Sequence, residues 1–292
     1  MDGAYMPGDR DHLSDDALAD IAYLARSSNR VEILGAIVSQ PRSPRELVET
    51  TGSARSTLER ILTELEERGW VERTSEGEYV STDAGKFVID EFTPVVEAME
   101  AIRNLGETLS WLPRDKLSIS LSHFSDAIVR RPDDPAETID YMTEVIRDTE
   151  NFRVISHLIP PEPPAKAIHD GVKTGRLDFE YVLTEDVIEF LSDHSERRER
   201  WGQTVDAGAD LWAWAGPIPC NLWIFDETVW IKKSRPGSIQ DTYAVPIISD
   251  DDTVRAWSHD LIDSYRDAAT AVDSEVFREN APVPPTESKE ET

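Results

Sequence analysis

Apolar residues recur at helical spacing from the first ordered stretch of the chain. Leu18, Ile21, Ala22, Leu24 and Ala25 form one stripe behind Ser14, a candidate N-cap. Val31, Ile33, Leu34, Ile37 and Val38 form a second after the polar break Ser27-Ser28-Asn29, and Pro41 ends it. Ser43-Pro44-Arg45-Glu46 then sets a serine cap, a proline at the first helical position and a glutamate at the third, which is a capping box before Leu47 and Val48. Gly52 supplies a turn. Ser53 is expected to cap the next helix, which buries Leu58, Ile61, Leu62 and Leu65 and closes at Gly69. The runs 70–73 and 78–81 read as short strands around a glycine-containing loop. Helix, turn, helix and hairpin in this order predict an α+β winged helix-turn-helix over residues 14–83, preceded by a loose arm at 1–13.

From Ala84 to Leu109 the apolar positions Phe92, Val95, Val96, Met99, Ile102, Leu105 and Leu109 repeat near period 3.6, with Pro94 expected to break or kink the helix. Residues 84–112 are read as a linker and dimerisation helix. Beyond Trp111-Leu112-Pro113 the texture alternates. Strands are expected at 126–130, 152–158, 177–183, 210–216, 221–226, 228–232 and 242–248, and helices at 135–147, 162–174, 185–205 in two pieces and 251–272. That order predicts a C-terminal α/β domain with a mixed sheet over residues 113–278, and the polar, proline-rich stretch 279–292 is expected to be disordered.

A helix-turn-helix functions only if its second helix offers a polar N-terminal face to a DNA groove. Arg55, Ser56, Thr57 and Arg60 provide one. Arginine donates to guanine edges or phosphates, and hydroxyls bond to either. The expected DNA-binding set is Arg42, Arg45, Ser53, Arg55, Ser56, Thr57 and Arg60, with Arg73 on the wing; the expected partner is double-stranded DNA. Against this, residues 21–90 carry 9 basic and 12 acidic groups, so DNA binding must come from local arrangement.

Composition changes the picture in one respect. The 292 residues hold 58 acids against 30 bases, a net charge of −28, and arginine outnumbers lysine 23 to 7. The acids are dispersed; the longest run is Asp250 to Asp252. A dispersed acidic, lysine-poor surface suits a cytosol of molar salt, where charges are screened within about 3 Å. A halophilic, cytoplasmic protein is therefore expected. No stretch has the length and apolarity of a membrane span, and the acidic N-terminus lacks a signal-peptide pattern.

The run Leu24-Ala25-Arg26-Ser27-Ser28-Asn29-Arg30-Val31-Glu32-Ile33-Leu34, with Ser43-Pro44-Arg45-Glu46-Leu47, Ser56-Thr57-Leu58-Glu59-Arg60 and Leu65-Glu66-Glu67-Arg68-Gly69-Trp70, resembles haloarchaeal winged-helix transcriptional regulators. So do Tyr79-Val80-Ser81-Thr82-Asp83-Ala84-Gly85, Phe92-Thr93-Pro94-Val95-Val96 and Trp111-Leu112-Pro113. The C-terminal half of such regulators is similar to the sensor domain of archaeal methanogenesis regulators. The resemblance implies a homodimeric repressor or activator whose helix from Ser53 to Gly69 reads DNA.

The second domain lacks the glycine-rich nests and nucleophile elbow of nucleotide-dependent and serine-hydrolase enzymes, and its histidines are isolated. No catalytic residue, cofactor or metal is expected. Trp212, Trp214, Trp223 and Trp230 crowd three successive strands, and aromatic walls with Arg153, His157 and Asp210 nearby suggest a pocket for a small-molecule effector. The same tryptophans suit core packing under a covering helix, which is the plainer reading of their alternation. Cys220 is expected to be a structural thiol. Two other readings stay open: a winged-helix module that binds protein in the transcription machinery without reading DNA, and an enzyme carrying a DNA-binding regulatory domain.

Overall fold

The computed structural model describes residues 14–130, 135–193, 195–233 and 246–278. The expected arm and tail, and residues 242–245 of the last expected strand, lie outside them. The protein is a mixed α+β chain of two compact units, 1–96 and 97–292.

In the first unit α1 (Asp15–Ala25) and α2 (Ser28–Ser39) precede the helical pair α3 (Pro44–Thr51) and α4 (Arg55–Glu67). Ser14 accepts from the Ala17 amide, as an N-cap should. Ser43 and Glu46 form the capping box reciprocally: the serine hydroxyl accepts from the Glu46 amide, and the Glu46 carboxylate accepts from the Ser43 amide at 2.8 Å. Gly52 closes α3 at φ 65°, a conformation costly for any residue with a Cβ. Strands β1 (Val71–Arg73) and β2 (Tyr79–Ser81) pair antiparallel, with Val71 opposite Ser81. Leu34, Leu47, Leu58, Leu65 and Trp70 are central to the core beneath them.

Helix α5 (Asp83–Leu105) runs through Pro94 without interruption, and a 3-10 turn, Gly106–Ser110, follows where the spacing predicted helix to residue 109. The division between the units falls inside α5, because Ala101 and Leu105 are fully buried in the core of the second.

The second unit is built on an eight-stranded sheet of β3 (Ile128–Val129), β4 (Asn151–Ser156), β5 (Asp178–Thr184), β6 (Asp210–Trp214), β7 (Asn221–Phe225), β8 (Thr228–Lys232), β9 (Ile247–Ser249) and β10 (Thr270–Val272). Their spatial order is β10-β6-β5-β4-β7-β8-β9-β3. β4, β5 and β6 are parallel and every other pairing is antiparallel. The connecting helices α6 (Pro135–Asp148), α7 (Glu162–Lys173), α8 (Glu185–Asp193) and α9 (Ser195–Asp206) cover one face. α10 (Asp252–Arg266) covers the other. The helix expected over 251–272 thus stops early. Residues 270–272 instead pair with β6, Val272 opposite Leu211, and bury Val272 against the sheet. Covering both faces explains why β7 is buried at all five positions rather than alternating.

Candidate nucleic-acid interface and ligand-facing residues

The helix that the sequence assigns to DNA reading buries Leu58, Ile61, Leu62 and Leu65 and leaves Arg55, Ser56, Glu59, Arg60 and Thr63 exposed. Its N-terminus differs from expectation. The N-cap is Ala54, which has no side-chain acceptor, and Ser53 is 4% exposed with its hydroxyl 3.0 Å from that of Thr51. Ser53 therefore braces the turn and neither caps α4 nor faces outward. The consequence favours an anion: the amides of Arg55, Ser56 and Thr57 open the helix with no side-chain cap, at the positive end of its dipole.

Arg45, Arg55 and Arg60 are each held by a carboxylate one turn along the same helix. Arg45 pairs with Glu49 at 3.0 Å, Arg55 with Glu59 at 3.1 Å and Arg60 with Glu64 at 2.8 Å. The i,i+4 spacing is legible in the sequence, and the structure shows that it engages the arginines of the expected interface. Exposed pairs of this kind contribute about 0.3 kcal/mol, less in the Arg-before-Glu order found here, so Arg45 and Arg55 exchange partners at little cost. Arg60 is held more firmly, because Glu64 also meets Arg30, a buried side chain that donates to the Tyr23 carbonyl at 2.6 Å. Burial opposes ionisation of Glu64, yet the Arg60 and Arg30 charges hold its carboxyl below the usual range.

Arg42 is half-buried and acts through its backbone, exchanging hydrogen bonds with Tyr79 at 3.1 and 2.8 Å and so tying the start of α3 to β2. Arg73 is exposed on β1 beside the loop 74–78, with its guanidinium 5.8 Å from the Tyr79 ring. Thr57 is half-buried. The outward-facing members of the expected set are thus Arg45, Arg55, Ser56, Arg60 and Arg73.

In the same unit, α1 and α5 form an apolar groove of about 400 Å³ lined by Ile21, Leu24, Trp70, Phe92 and Val95. Leu18, Phe87 and Val96 are exposed on the same two helices, Phe87 to 71%.

The residues expected to line an effector pocket divide between the two sheet faces. Trp223 and Trp230 stack at 6.3 Å in the core under the connecting helices, Trp230 also against Tyr141 at 5.4 Å. Trp212 and Trp214 lie on the α10 face, where Trp214 meets the Tyr265 ring at 5.0 Å. Asp210 is exposed at the start of β6, and His157 is buried at the end of β4. Arg153 lies in a charge network under α10, donating to Glu180 and Asp263 at 2.6 Å and to His259 Nδ1 at 2.8 Å; Arg266 reaches the same two carboxylates. Among the described cavities none gathers these seven residues. Cys220 is fully buried, which pushes its thiol up to about 12.

The fold and surface define a two-unit chain with a helix-turn-helix at its amino end and a doubly covered mixed sheet beyond it. Residues 18–104 match the family described as HVO_A0261 N-terminal domain, and residues 135–268 match the middle domain of the methanogenesis regulatory protein FilR1. By these matches the chain resembles archaeal regulatory proteins. No curated protein matches it. Similar solved structures include the archaeal chromatin protein TrmBL2, whose structure shows a novel mode of DNA binding, at 16% identity and TM-score 0.38, covering 89% of this chain and 100% of that one. The O-methyltransferase NcsB1 from neocarzinostatin biosynthesis follows at 15% and 0.26, covering 69% and 81%. The dimethyltransferase RosA from Streptomyces davawensis stands at 13% and 0.23, covering 68% and 78%. TM-scores this low carry no argument about this chain. No helix of the described residues is long and apolar enough to cross a membrane.

Proposed function

We propose that the chain is a cytoplasmic, DNA-binding transcriptional regulator of winged-helix type. It acts as a homodimer without catalysis of its own, and its second unit responds to a small molecule or a partner. The observation that carries this reading is the amino end of α4: uncapped amides beside exposed Arg55, Ser56 and Arg60, supplying phosphate-binding donors and base-reading side chains on one short stretch. The match of residues 135–268 to a domain of a regulatory protein supports a role in regulation. The exposed apolar side chains Leu18, Ile21, Phe87, Val95 and Val96 of the first unit support self-association, since a cluster of large exposed apolar residues marks an interaction surface. Two reading helices of a dimer enter successive major grooves when about 34 Å apart, and an effector acts by binding one spacing better than another.

The test is binding of the purified protein to its own promoter region in molar KCl. Arg55→Ala and Arg60→Ala should each weaken it about tenfold, at 1–3 kcal/mol for a base-reading arginine. Unchanged affinity in both variants would remove the assigned reading face. A stable complex with another protein and no protected DNA would favour the protein-binding reading instead.

A further inference from the structure

Within the second unit, the end of α5 and the turn that follows wall a groove of about 480 Å³, with Ile102, Leu109, Leu112, Leu117 and Leu121 as its apolar sides and Arg114 at its polar edge. That size lies in the range of small-molecule sites, and so does the make-up of apolar walls with a single strong polar group. The groove has a firm floor: Leu112 is 5% exposed and packs with Ala101, Leu105 and Phe124 into the core beneath α10.

Arg114 sets the chemistry. Arg114 is exposed and, like Arg103 and Arg147 in this unit and unlike Arg153, Arg200, Arg255 and Arg266, meets no carboxylate within ion-pair distance among the described residues; it alone of these three lines the groove. The surrounding stretch is also depleted of acid. Residues 108–125 hold Arg114 and Lys116 against Asp115 alone, in a part of the chain, 91–292, with net charge −20. An open guanidinium over leucine walls suits a carboxylate carrying a hydrocarbon body, since the arginine fork bonds both carboxylate oxygens.

We propose that this groove binds a small amphipathic carboxylate, with the carboxylate on Arg114 and the hydrocarbon against Ile102, Leu109 and Leu117. The proposal rests on the reading of the second unit as the ligand-responsive part. None of the tryptophans of β6, β7 and β8 lines this groove.

The experiment is isothermal titration of the full chain with sodium octanoate in KCl, with 1-octanol as the uncharged arm and circular dichroism as the check on folding. One octanoate per chain is expected, octanol binding about tenfold more weakly. Arg114→Gln should weaken octanoate about tenfold, and Ser110→Trp, which sets a bulky side chain at an exposed position of the rim, should block it. No saturable uptake, or uptake unchanged in Arg114→Gln, overturns the proposal. So does loss of a dimer in Ser110→Trp without octanoate uptake by the parent, which would make the groove a contact between copies. Promoter affinity measured alongside separates the two readings: octanoate bound at Arg114 with DNA binding unmoved keeps the site and sinks the sensor role.

Discussion

Alanine is favoured over glycine in a helix by about 1 kcal/mol, so Gly35 in α2 and Gly85 in the first turn of α5 both invite replacement. Only one of them tolerates it. A Cβ on Gly35 meets nothing within 4 Å, whereas a Cβ on Gly85 lands 2.1 Å from the Trp70 carbonyl oxygen and 3.0 Å from its carbon. Real contacts of this type lie beyond 3 Å, so the first turn of α5 or the Trp70 backbone must move by about 1 Å. Neither is free to do so. The same carbonyl accepts from the Thr82 amide at 3.0 Å, the Thr82 hydroxyl donates to Gly69 at 2.7 Å, and Trp70 itself is 5% exposed in the core. Overpacking costs about 1–3 kcal/mol and a lost hydrogen bond about 1, against a helical gain below 1. Gly85→Ala should therefore destabilise the first unit by about 2 kcal/mol, a fall of roughly 10 °C for a unit of this size, while Gly35→Ala should stabilise it by about 0.5 kcal/mol. Thermal unfolding of the full chain, with hydrogen exchange over residues 28–92 to locate the loss, reads both. Equal and favourable effects of the two substitutions would refute the close approach of α5 to Trp70.

Three further outcomes follow from particular contacts. Burial first, and then the charges of Arg153 and Arg255, hold the His259 imidazole below 6.5, with Asp263 and Glu180 opposing. The unfolded chain, titrating near 6.5, then binds more protons than the native state below that pH, so the stability contributed by neutral His259 is present above about 6.5 and lost as pH falls through the native value. Urea midpoints for the second unit between pH 7.5 and 5.5 should fall, and less steeply in His259→Gln; because half-buried His169 is lowered in the same sense, the difference between the two proteins is the readout. Glu59→Gln releases Arg55 and removes a carboxylate from the exposed face of α4, so promoter affinity should rise about three- to tenfold; a fall would mean that Glu59 positions Arg55 for DNA. Cys220, fully buried with its thiol near 12, should resist an aromatic disulfide reagent in the native state at pH 8 and react fully in guanidinium, and rapid native labelling would contradict its burial.

The first unit was legible because its signals are local. A capping box needs only Ser43 and Glu46, a left-handed turn only Gly52, and an amphipathic helix only its own spacing. Ser53 misled for the same reason: a serine before a helix is a good cap by propensity, but the competing bond to Thr51 and burial under the turn are tertiary facts, and the cap passed to Ala54. In the second unit most strands were readable from their apolar runs, while the face each residue takes was not. Alternation places Trp212 and Trp214 together, as expected, yet says nothing of Trp223 and Trp230 lying across the sheet from them, since that depends on which strands pair. The strand 270–272 was hidden for a related reason: Ala271 and Val272 continue the helical pattern of α10, and only the open edge of β6 turns them into a strand. Arg153 looked like a free polar partner because Glu180, Asp263 and His259 are distant in sequence.

The charge of −28 bears on the proposed interface through these contacts. Ordinary DNA binding draws much of its affinity from counterion release and loses it steeply with salt, so a protein whose first 90 residues are themselves net acidic gains little from that source. What molar salt does not remove is short-range geometry: an arginine within hydrogen-bond distance of a base edge, and helix amides against a phosphate, act inside a screening length of about 3 Å. The same screening loosens the exposed pairs Arg45–Glu49 and Arg55–Glu59, freeing both arginines, while Arg60 stays bound to a Glu64 that Arg30 anchors from below. Raising KCl should therefore weaken the Arg60→Ala protein and the parent alike, but should narrow the gap between Glu59→Gln and the parent, because salt already does to Arg55 what the substitution does. Promoter titrations of the three proteins between about 0.5 and 3 M KCl decide it. A Glu59→Gln advantage that persists undiminished at the highest salt would show that Glu59 opposes DNA by its position on α4 rather than by holding Arg55.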